Sequence, residues 1–220
     1  MINSQKMIFT CLVTLCLMSC KNEVCVEGIN LLPMYGSVDK CKQQIKADQE
    51  FISICEKEYG SKQRASQEML RFGWKHYAQA DMETSMKRFN QAWLLDSLNA
   101  EAYIGFGTIL NDQGKYNESL QVIERGIQLN PQSAEAWKLS GFVNINLFND
   151  NKDEKTRDKS VEHLKKAIAI RPSDARTYAI LTKAYAHYHQ QDSARKYLKI
   201  TDDFEPYLIE DKVREHIMKR

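Results

Sequence analysis

The stretch "NAEAYIGFGTILNDQGKYNESLQVIERGIQLNP", residues 99–131, decides the fold because its pattern returns elsewhere in the chain. "AWKLSGFVNINL" (136–147) copies "AYIGFGTILNDQ" (102–113), and "VEHLKKAIAIRP" (161–172) copies "LQVIERGIQLNP" (120–131). "MKRFNQAWLLDS" (86–97) gives the same second half once more. Two amphipathic helices that recur about every 34 residues indicate an array of stacked helical hairpins.

This pattern resembles the tetratricopeptide repeat (TPR) family over residues 66–208, with units at 66–99, 100–133, 134–174 and 175–208. Two positions per unit are small because the paired helices cross there at close range. In the first helix of each unit, helix A, these positions are Gly73, Gly107, Gly141 and Thr182; in the second, helix B, they are Ser85, Ser119, Ser160 and Ala194. The bulky helix B position falls on Phe89, Ile123, Leu164 and Leu198. The resemblance implies an all-α, right-handed α-solenoid of about four hairpins.

Helices are also expected at both ends of the array. Residues 37–65 are interpreted as an N-terminal capping helix that ends at Gly60, and residues 209–220 as a C-terminal capping helix. Unit three carries seven extra residues, and the polar run "FNDNKDEKTRD" (148–158) places them in a solvated loop between its helices. A calcium loop is the weaker alternative, since Glu154 stands where such loops require glycine.

The first residues, "MINSQKMIFTCLVTLCLMSCKNEV", carry Lys6 and then about 12 uncharged, mostly apolar residues, too few for a membrane span. The run ends in "LMSC" (17–20), which resembles the lipobox of bacterial lipoproteins. The resemblance implies a signal peptide over residues 1–19, acylation of Cys20, and a lipid-anchored tether over residues 20–36. An ordinary signal peptide with a chance cysteine is the alternative. Lys21 favours the outer membrane, with the protein facing the periplasm, over retention at the inner membrane.

Three cysteines remain beyond this segment, at positions 25, 41 and 55. Cys41 and Cys55 lie on one predicted helix about 21 Å apart, too far for a mutual disulfide. A bridge from Cys25 to either is open, with one thiol left over. The favoured interpretation is small buried hydrophobic residues, because the sequence has no C-x-x-C or Cys/His cluster.

Composition and motif content argue against several classes of function. A net charge of +2 with interspersed acids and bases gives no basic face, so charge does not indicate nucleic acid. The five histidines are scattered, and no phosphate-binding loop, dinucleotide fingerprint, G-x-S-x-G or H-E-x-x-H motif occurs. We therefore predict no enzyme, no cofactor, no metal and no small-molecule substrate.

In TPR arrays the concave surface is lined mainly by one face of each helix A. The resemblance places an amphipathic partner-binding groove here on Trp74, Tyr77, Thr108, Asn111, Lys138, Phe142, Asn146 and Lys183, with Gln67, Glu101, Ile104, Asp112 and Glu135 among the neighbouring positions. Packing of the aromatic residues into the core is an equal alternative. The lysine–asparagine–arginine clamp that some TPR domains use for acidic tails is absent, since its positions carry Leu70, Trp74, Gly105, Glu135 and Leu139.

The sequence thus predicts a protein-interaction module or scaffold in the bacterial cell envelope that binds a peptide segment of a partner in the groove. The alternative is a structural subunit of an outer-membrane assembly, secretion or uptake complex that docks by its convex face. Both rest on analogy of fold.

Overall fold

The computed structural model describes residues 24–219, and within them the chain is helical without strands. Two short 3-10 helices, Ile29–Leu31 and Pro33–Ser37, precede ten α-helices. These are α1 (Lys42–Tyr59), α2 (Lys62–Ala78), α3 (Met82–Leu95), α4 (Ala100–Asp112), α5 (Tyr116–Leu129), α6 (Ala134–Asn151), α7 (Glu154–Ile170), α8 (Ala175–His187), α9 (Gln191–Phe204) and α10 (Asp211–Met218). The prediction of an all-α solenoid is confirmed.

Helices α2 to α9 form four antiparallel hairpins, each an A helix packed along its own B helix. Each B helix then packs on the A helix of the next hairpin, so the units stack in chain order. Apolar stripes on both helices bury a core of three clusters along the array, whose largest fully buried side chains include Phe89, Phe106, Ile109, Ile123 and Leu164. A stack of this kind is stabilised by contacts within a unit and with its nearest neighbours.

Glycine lets the two helices of a hairpin approach closely. A Cβ on Gly73 would lie 2.4 Å from the Phe89 ring, and one on Gly107 would lie 2.5 Å from Cγ1 of Ile123. The approach also brings helix B serines within reach of helix A carbonyl oxygens: Ser119 Oγ donates to the Gly107 oxygen at 2.7 Å. Ser85 makes the same contact with Gly73 at 3.0 Å. The small residues of the repeat pattern therefore have a direct steric reason.

Polar caps fix where successive A helices begin. The side chains of Asn99, Ser133 and Asp174 accept hydrogen bonds from backbone N–H groups in the first turns of α4, α6 and α8, at 3.1 to 3.2 Å. Such caps satisfy N–H groups that have no partner inside the helix. They set the A helices in register, so residues at equivalent positions face the same surface.

The extra residues of unit three do not form the predicted loop. Helix α6 has 18 residues where α4 has 13, and α7 has 17 where α5 has 14, so most of the insertion lengthens both helices. The chain turns at Lys152, whose φ is 54°. Asp153 then caps α7, accepting from the backbone N and Oγ1 of Thr156. The loop prediction was wrong because polar residues on an exposed helix surface look like loop residues in sequence.

The described part of the expected tether, from Val24 onwards, folds back on the helices rather than extending away from them, and residues 29–37 pack on α3. Ile29 and Tyr35 are 4% and 6% exposed. Asn90 of α3 is fully buried and holds the segment: its amide nitrogen donates to the carbonyl oxygens of Asn30 at 3.0 Å and Leu32 at 2.8 Å. Its Oδ1 accepts the backbone N–H of Tyr35 at 3.2 Å. Burial of two apolar side chains and three hydrogen bonds explains the departure from an open tether.

Cys25 and Cys41 form a disulfide, which corrects the preference for free, buried cysteines at these two positions. The folded-back segment brings Cys25 to the residue that precedes α1, with the two Cα atoms 5.2 Å apart. Cys55 is free and buried against α2, as expected for a small hydrophobic residue. The predicted signal peptide, Cys20 and its lipid lie outside the described residues.

The C-terminal helix α10 packs on α8 and α9, as expected for a cap. Ile209 and Ile217 are almost fully buried there. The Arg214 guanidinium forms an ion pair with Asp202 of α9 and thereby fixes the helix to the array. Between residues 24 and 219 no helix is both long and apolar enough to cross a membrane.

Candidate partner-binding groove

The A helices form the inner side of the array. Neighbouring A helices contact each other along α2, α4, α6 and α8, whereas within the described chain successive B helices make few contacts or none. Since the row whose members lie closer together is the inner row of a curved stack, the A helices line its concave side. The predicted groove residues all belong to these four helices.

At the N-terminal half of the groove, two aromatic side chains of α2 bond to carboxylates of α4. Trp74 Nε1 donates to Oε1 of Glu101 at 2.9 Å, and the Tyr77 hydroxyl donates to Oδ2 of Asp112 at 2.7 Å. Burial, the hydrogen bond and the negative charge of Asp112 raise the pKa of Tyr77 to about 12. The indole also packs edge-on against Phe89, with ring centroids 4.9 Å apart. Trp74 and Tyr77 are thus half-buried, with one face on the core and polar atoms at the surface.

In the C-terminal half, the predicted polar residues also bridge successive repeats. Asn146 Nδ2 donates to Oδ1 of Asn111 at 2.8 Å, joining α6 to α4. The other two bridges are ion pairs.

Lys138 Nζ lies 2.7 Å from Glu135 and 3.3 Å from Asp174, the cap of α8. Lys183 Nζ lies 2.8 Å from Glu210, which precedes α10. Burial alone would raise the pKa of Asp174, but the Thr177 hydrogen bond and the Lys138 ammonium hold it below its usual range. These predicted partner-binding groups therefore stabilise the stacking of the repeats.

Two predicted residues stand apart from these bridges. The Thr108 hydroxyl bonds to the carbonyl oxygen of Ile104 on its own helix at 2.9 Å. Phe142 is 39% exposed on α6 and is the groove aromatic most open to solvent. The sequence did not decide whether Trp74 and Phe142 are exposed or packed. In the structure Trp74 packs on the core, whereas the Phe142 side chain is exposed to solvent.

A cavity of about 840 Å³ opens at the end of the groove where the A helices begin, across units one to three. Apolar side chains of Trp74, Leu98, Ile104 and Leu129 line it. Its polar lining comes from Gln67, Asn99, Glu101, Asn130, Ser133, Glu135 and Arg171. Leu98 is 68% exposed, so the cavity presents an apolar surface to solvent rather than a sealed core.

Sequence reasoning missed the part of this cavity that comes from the ends of the B helices and the following turns. Leu98, Leu129 and Arg171 lie there, outside the helix A positions that the repeat pattern singles out. An exposed leucine directly before the Asn99 cap was the available signal, because turns are otherwise polar.

One contact resembles a nucleophile and its base but is buried within a hairpin. Ser140 Oγ lies 2.9 Å from Nδ1 of His163, and Ser140 is 4% exposed. The imidazole packs edge-on against Trp137, and burial lowers its pKa. The pair joins α6 to α7, with the serine buried and the imidazole partly buried. In the described part of the chain, no three His, Cys, Asp or Glu side chains cluster as metal ligands would.

Comparison with known proteins agrees with this geometry. The family model described as tetratricopeptide repeat matches residues 100–133, the second hairpin. No curated protein matches the chain.

Among solved structures, a thermophilic TPR protein of Thermus thermophilus is similar, with 18% identity over 69% of this chain and 79% of that one, and a TM-score of 0.61. MamA is 22% identical over 76% of this chain and 96% of its own, with a TM-score of 0.52. YrrB, described as a TPR protein with an unusual peptide-binding site, is 16% identical over 70% of this chain and 75% of its own, with a TM-score of 0.52. At such identities these structures support the fold. Together with the matched second hairpin and the equivalent packing of the other three, they show that the chain has the fold of tetratricopeptide-repeat proteins.

Proposed function

We propose that this chain is a protein-interaction module that binds a peptide segment of a partner in its concave groove. The observation that carries the proposal is the 840 Å³ cavity, which three successive repeats build at one end of that groove. Its size is within the usual range of ligand pockets, about 300 to 1,000 Å³. A single side chain would leave most of it empty, so several residues of a peptide fit its dimensions.

The lining suits a peptide. Leu98, Leu129 and Ile104 offer apolar contact area, and the half-buried Trp74 adds a large aromatic side chain of the kind common at interface hot spots. Gln67 and Arg171 place polar groups at the rim that can bond to a peptide backbone. The structural likeness to YrrB, which has a peptide-binding site, supports the same kind of function here.

The test is to obstruct the cavity without disturbing the fold. Gln67 lines the cavity from the exposed surface of α2, so the indole of Gln67→Trp should project into it and block a peptide while leaving the buried core intact. Gln121→Trp places the same side chain on exposed α5, away from the cavity, and is the matched control. A partner cross-linked to the parent and to Gln121→Trp, but not to Gln67→Trp, supports the groove. Equal recovery with both variants would overturn it.

A second candidate docking surface lies on α1. Ile54 of α1 is 62% exposed and borders a shallow depression of about 410 Å³ that Gln49, Glu50 and Ser53 also line. This isoleucine lies on α1, outside the row of A helices that lines the groove. This surface favours the alternative of a subunit docked outside the groove. Ile54→Lys should then abolish partner recovery while Gln67→Trp does not.

We further propose that the protein is exported and anchored in the bacterial cell envelope through a lipid on Cys20, at the outer membrane facing the periplasm. The Cys25–Cys41 disulfide supports export, because disulfides persist in oxidising compartments. Metabolic labelling with an alkyne fatty acid tests the anchor: label should enter the parent and not Cys20→Ala. Label retained in Cys20→Ala, or recovery with the inner membrane on a density gradient, would refute the corresponding part.

A further inference from the structure

The groove carries two carboxylates without a cationic partner, both on α4. Glu101 and Asp112 accept hydrogen bonds from the neutral donors Trp74 and Tyr77. Within residues 24–219 neither carboxylate forms an ion pair. The negative charge of both is therefore left uncompensated on the groove surface.

The acids of the other half of the groove differ. Glu135 and Asp174 share Lys138, and Glu210 is paired with Lys183. Arg171 adds a further cation 4.0 Å from Glu135. Negative charge without a counter-ion in the described chain is thus concentrated on α4, with Glu101 at the cavity and Asp112 at the other end of the helix. Both carboxylates are exposed to solvent, so a cation can reach them and salt screens the attraction.

The spacing of the two carboxylates sets the spacing of matching cations. Glu101 and Asp112 lie eleven residues apart on α4, which corresponds to about 16 Å along the helix axis. An extended peptide rises about 3.3 Å per residue, and its side chains alternate between two faces, so cations that project to the same side over this length lie four or six positions apart. The long apolar stems of lysine or arginine can pack along Trp74 and Tyr77 while their heads reach the carboxylates.

From this charge pattern we infer that the occupant of the groove is a basic segment of a partner protein, extended, with two lysine or arginine residues four or six positions apart and apolar residues between them. This inference rests on the proposed groove function and names the chemistry of its ligand. One cation meets Glu101 at the cavity, the other meets Asp112 at the far end of α4, and the apolar residues between them lie along Trp74 and Tyr77.

The test uses a fluorescent decapeptide with two central leucines and two lysines six positions apart, against the same peptide with two glutamines or two glutamates. The lysine peptide should bind the parent at least tenfold more tightly than the glutamine peptide, and the glutamate peptide more weakly still. Raising the salt concentration should weaken the binding of the lysine peptide more than that of the other two peptides.

The variant is Glu101→Gln with Asp112→Asn, because each amide oxygen still accepts the bond from Trp74 or Tyr77. Glu118→Gln with Asp203→Asn is the control: both are exposed on B helices, the net charge changes equally, and Glu118 lies in a first helical turn as Glu101 does. The lysine preference should disappear in the groove variant and persist in the control. Binding that ignores peptide charge but is blocked by Gln67→Trp overturns the inference and leaves the groove function standing. No binding of any peptide overturns both.

Discussion

Replacing Gly107 with alanine should destabilise the protein, although alanine is the better helix former. Gly107 lies in the middle of α4, where a Cβ would stand 2.5 Å from Cγ1 and 2.9 Å from Cδ1 of Ile123. The next neighbour, Cδ2 of Leu139, would be 3.4 Å away, close to an ordinary contact. The conflict is therefore with one side chain.

The size of two opposing free-energy terms decides whether Gly107→Ala stabilises or destabilises the protein. Alanine in place of glycine gains about 1 kcal/mol in a helix interior. Overpacking a well-filled core costs about 1 to 3 kcal/mol, because neighbours must leave their rotamers or the helices must separate. The net loss should be about 1 kcal/mol, equivalent to roughly 2 to 4 °C in Tm for a chain of this size.

In the background of Ile123→Ala, the expected effect of Gly107→Ala on stability is reversed. Ile123→Ala should itself cost about 2 to 5 kcal/mol through the cavity that it leaves. With the Ile123 side chain gone, Gly107→Ala has no clash and should stabilise by about 1 kcal/mol. Urea unfolding of the four proteins of this double-mutant cycle, followed by circular dichroism, measures both effects. If Gly107→Ala changes stability equally in both backgrounds, close helix approach is not the reason for this glycine.

Three further outcomes can be checked. Asn90→Leu removes three hydrogen bonds to the N-terminal segment, so stability should fall by about 2 to 3 kcal/mol and the Tyr35 amide should exchange its hydrogen faster; an unchanged exchange rate would show that Asn90 does not hold the segment. Cys25→Ser opens a disulfide between residues 16 apart, which should cost about 3 kcal/mol, and a reductant should then weaken the parent but not the variant. Burial lowers the pKa of His163 below 6.5, so its contribution to stability is complete above pH 6.5 and is lost as the pH falls through the folded-state pKa; in His163→Gln the fall in Tm on acidification should be smaller, and an equal fall would exclude this histidine.

The array was predictable because its determinants are local and repeated. Gly107, Ser119 and Ile123 lie within one unit, and the same spacing recurs in Gly73, Ser85 and Phe89. Each contact involves residues close in sequence, so the pattern alone carries the geometry.

The packing of the N-terminal segment was not predictable in this way. Asn90 contacts backbone groups 55 to 60 residues away, and in sequence it is one polar residue on an amphipathic helix. The disulfide depends on the same folding back, since Cys25 reaches Cys41 only when the segment returns to α1. Such long-range pairings leave no periodic signal.

The position of the candidate groove could be predicted from the sequence, but the hydrogen bonds and ion pairs of its residues could not. The helix A positions lie on the expected face, yet Asn111 and Asn146 bond to each other, and Lys138 and Lys183 are held in ion pairs. The repeat pattern predicts which residues face the groove. Their hydrogen-bond and ion-pair partners depend on how far one unit is rotated relative to the next. That rotation determines which acids keep a counter-ion, and it leaves Glu101 and Asp112 without one.

The packed N-terminal segment also sets how far the array can stand from a membrane when Cys20 carries a lipid. An open tether to residue 37 would span up to about 58 Å, at roughly 3.4 Å per residue. Because Cys25 is fixed to the start of α1 by the disulfide, the chain from Cys20 to Cys25 is five residue steps long, a reach of about 17 Å at most. With the proposed lipid on Cys20, this short reach would hold the N-terminal end of the array close to the bilayer. The proposed anchor and the proposed groove function together then favour a membrane-associated partner over a freely diffusing one.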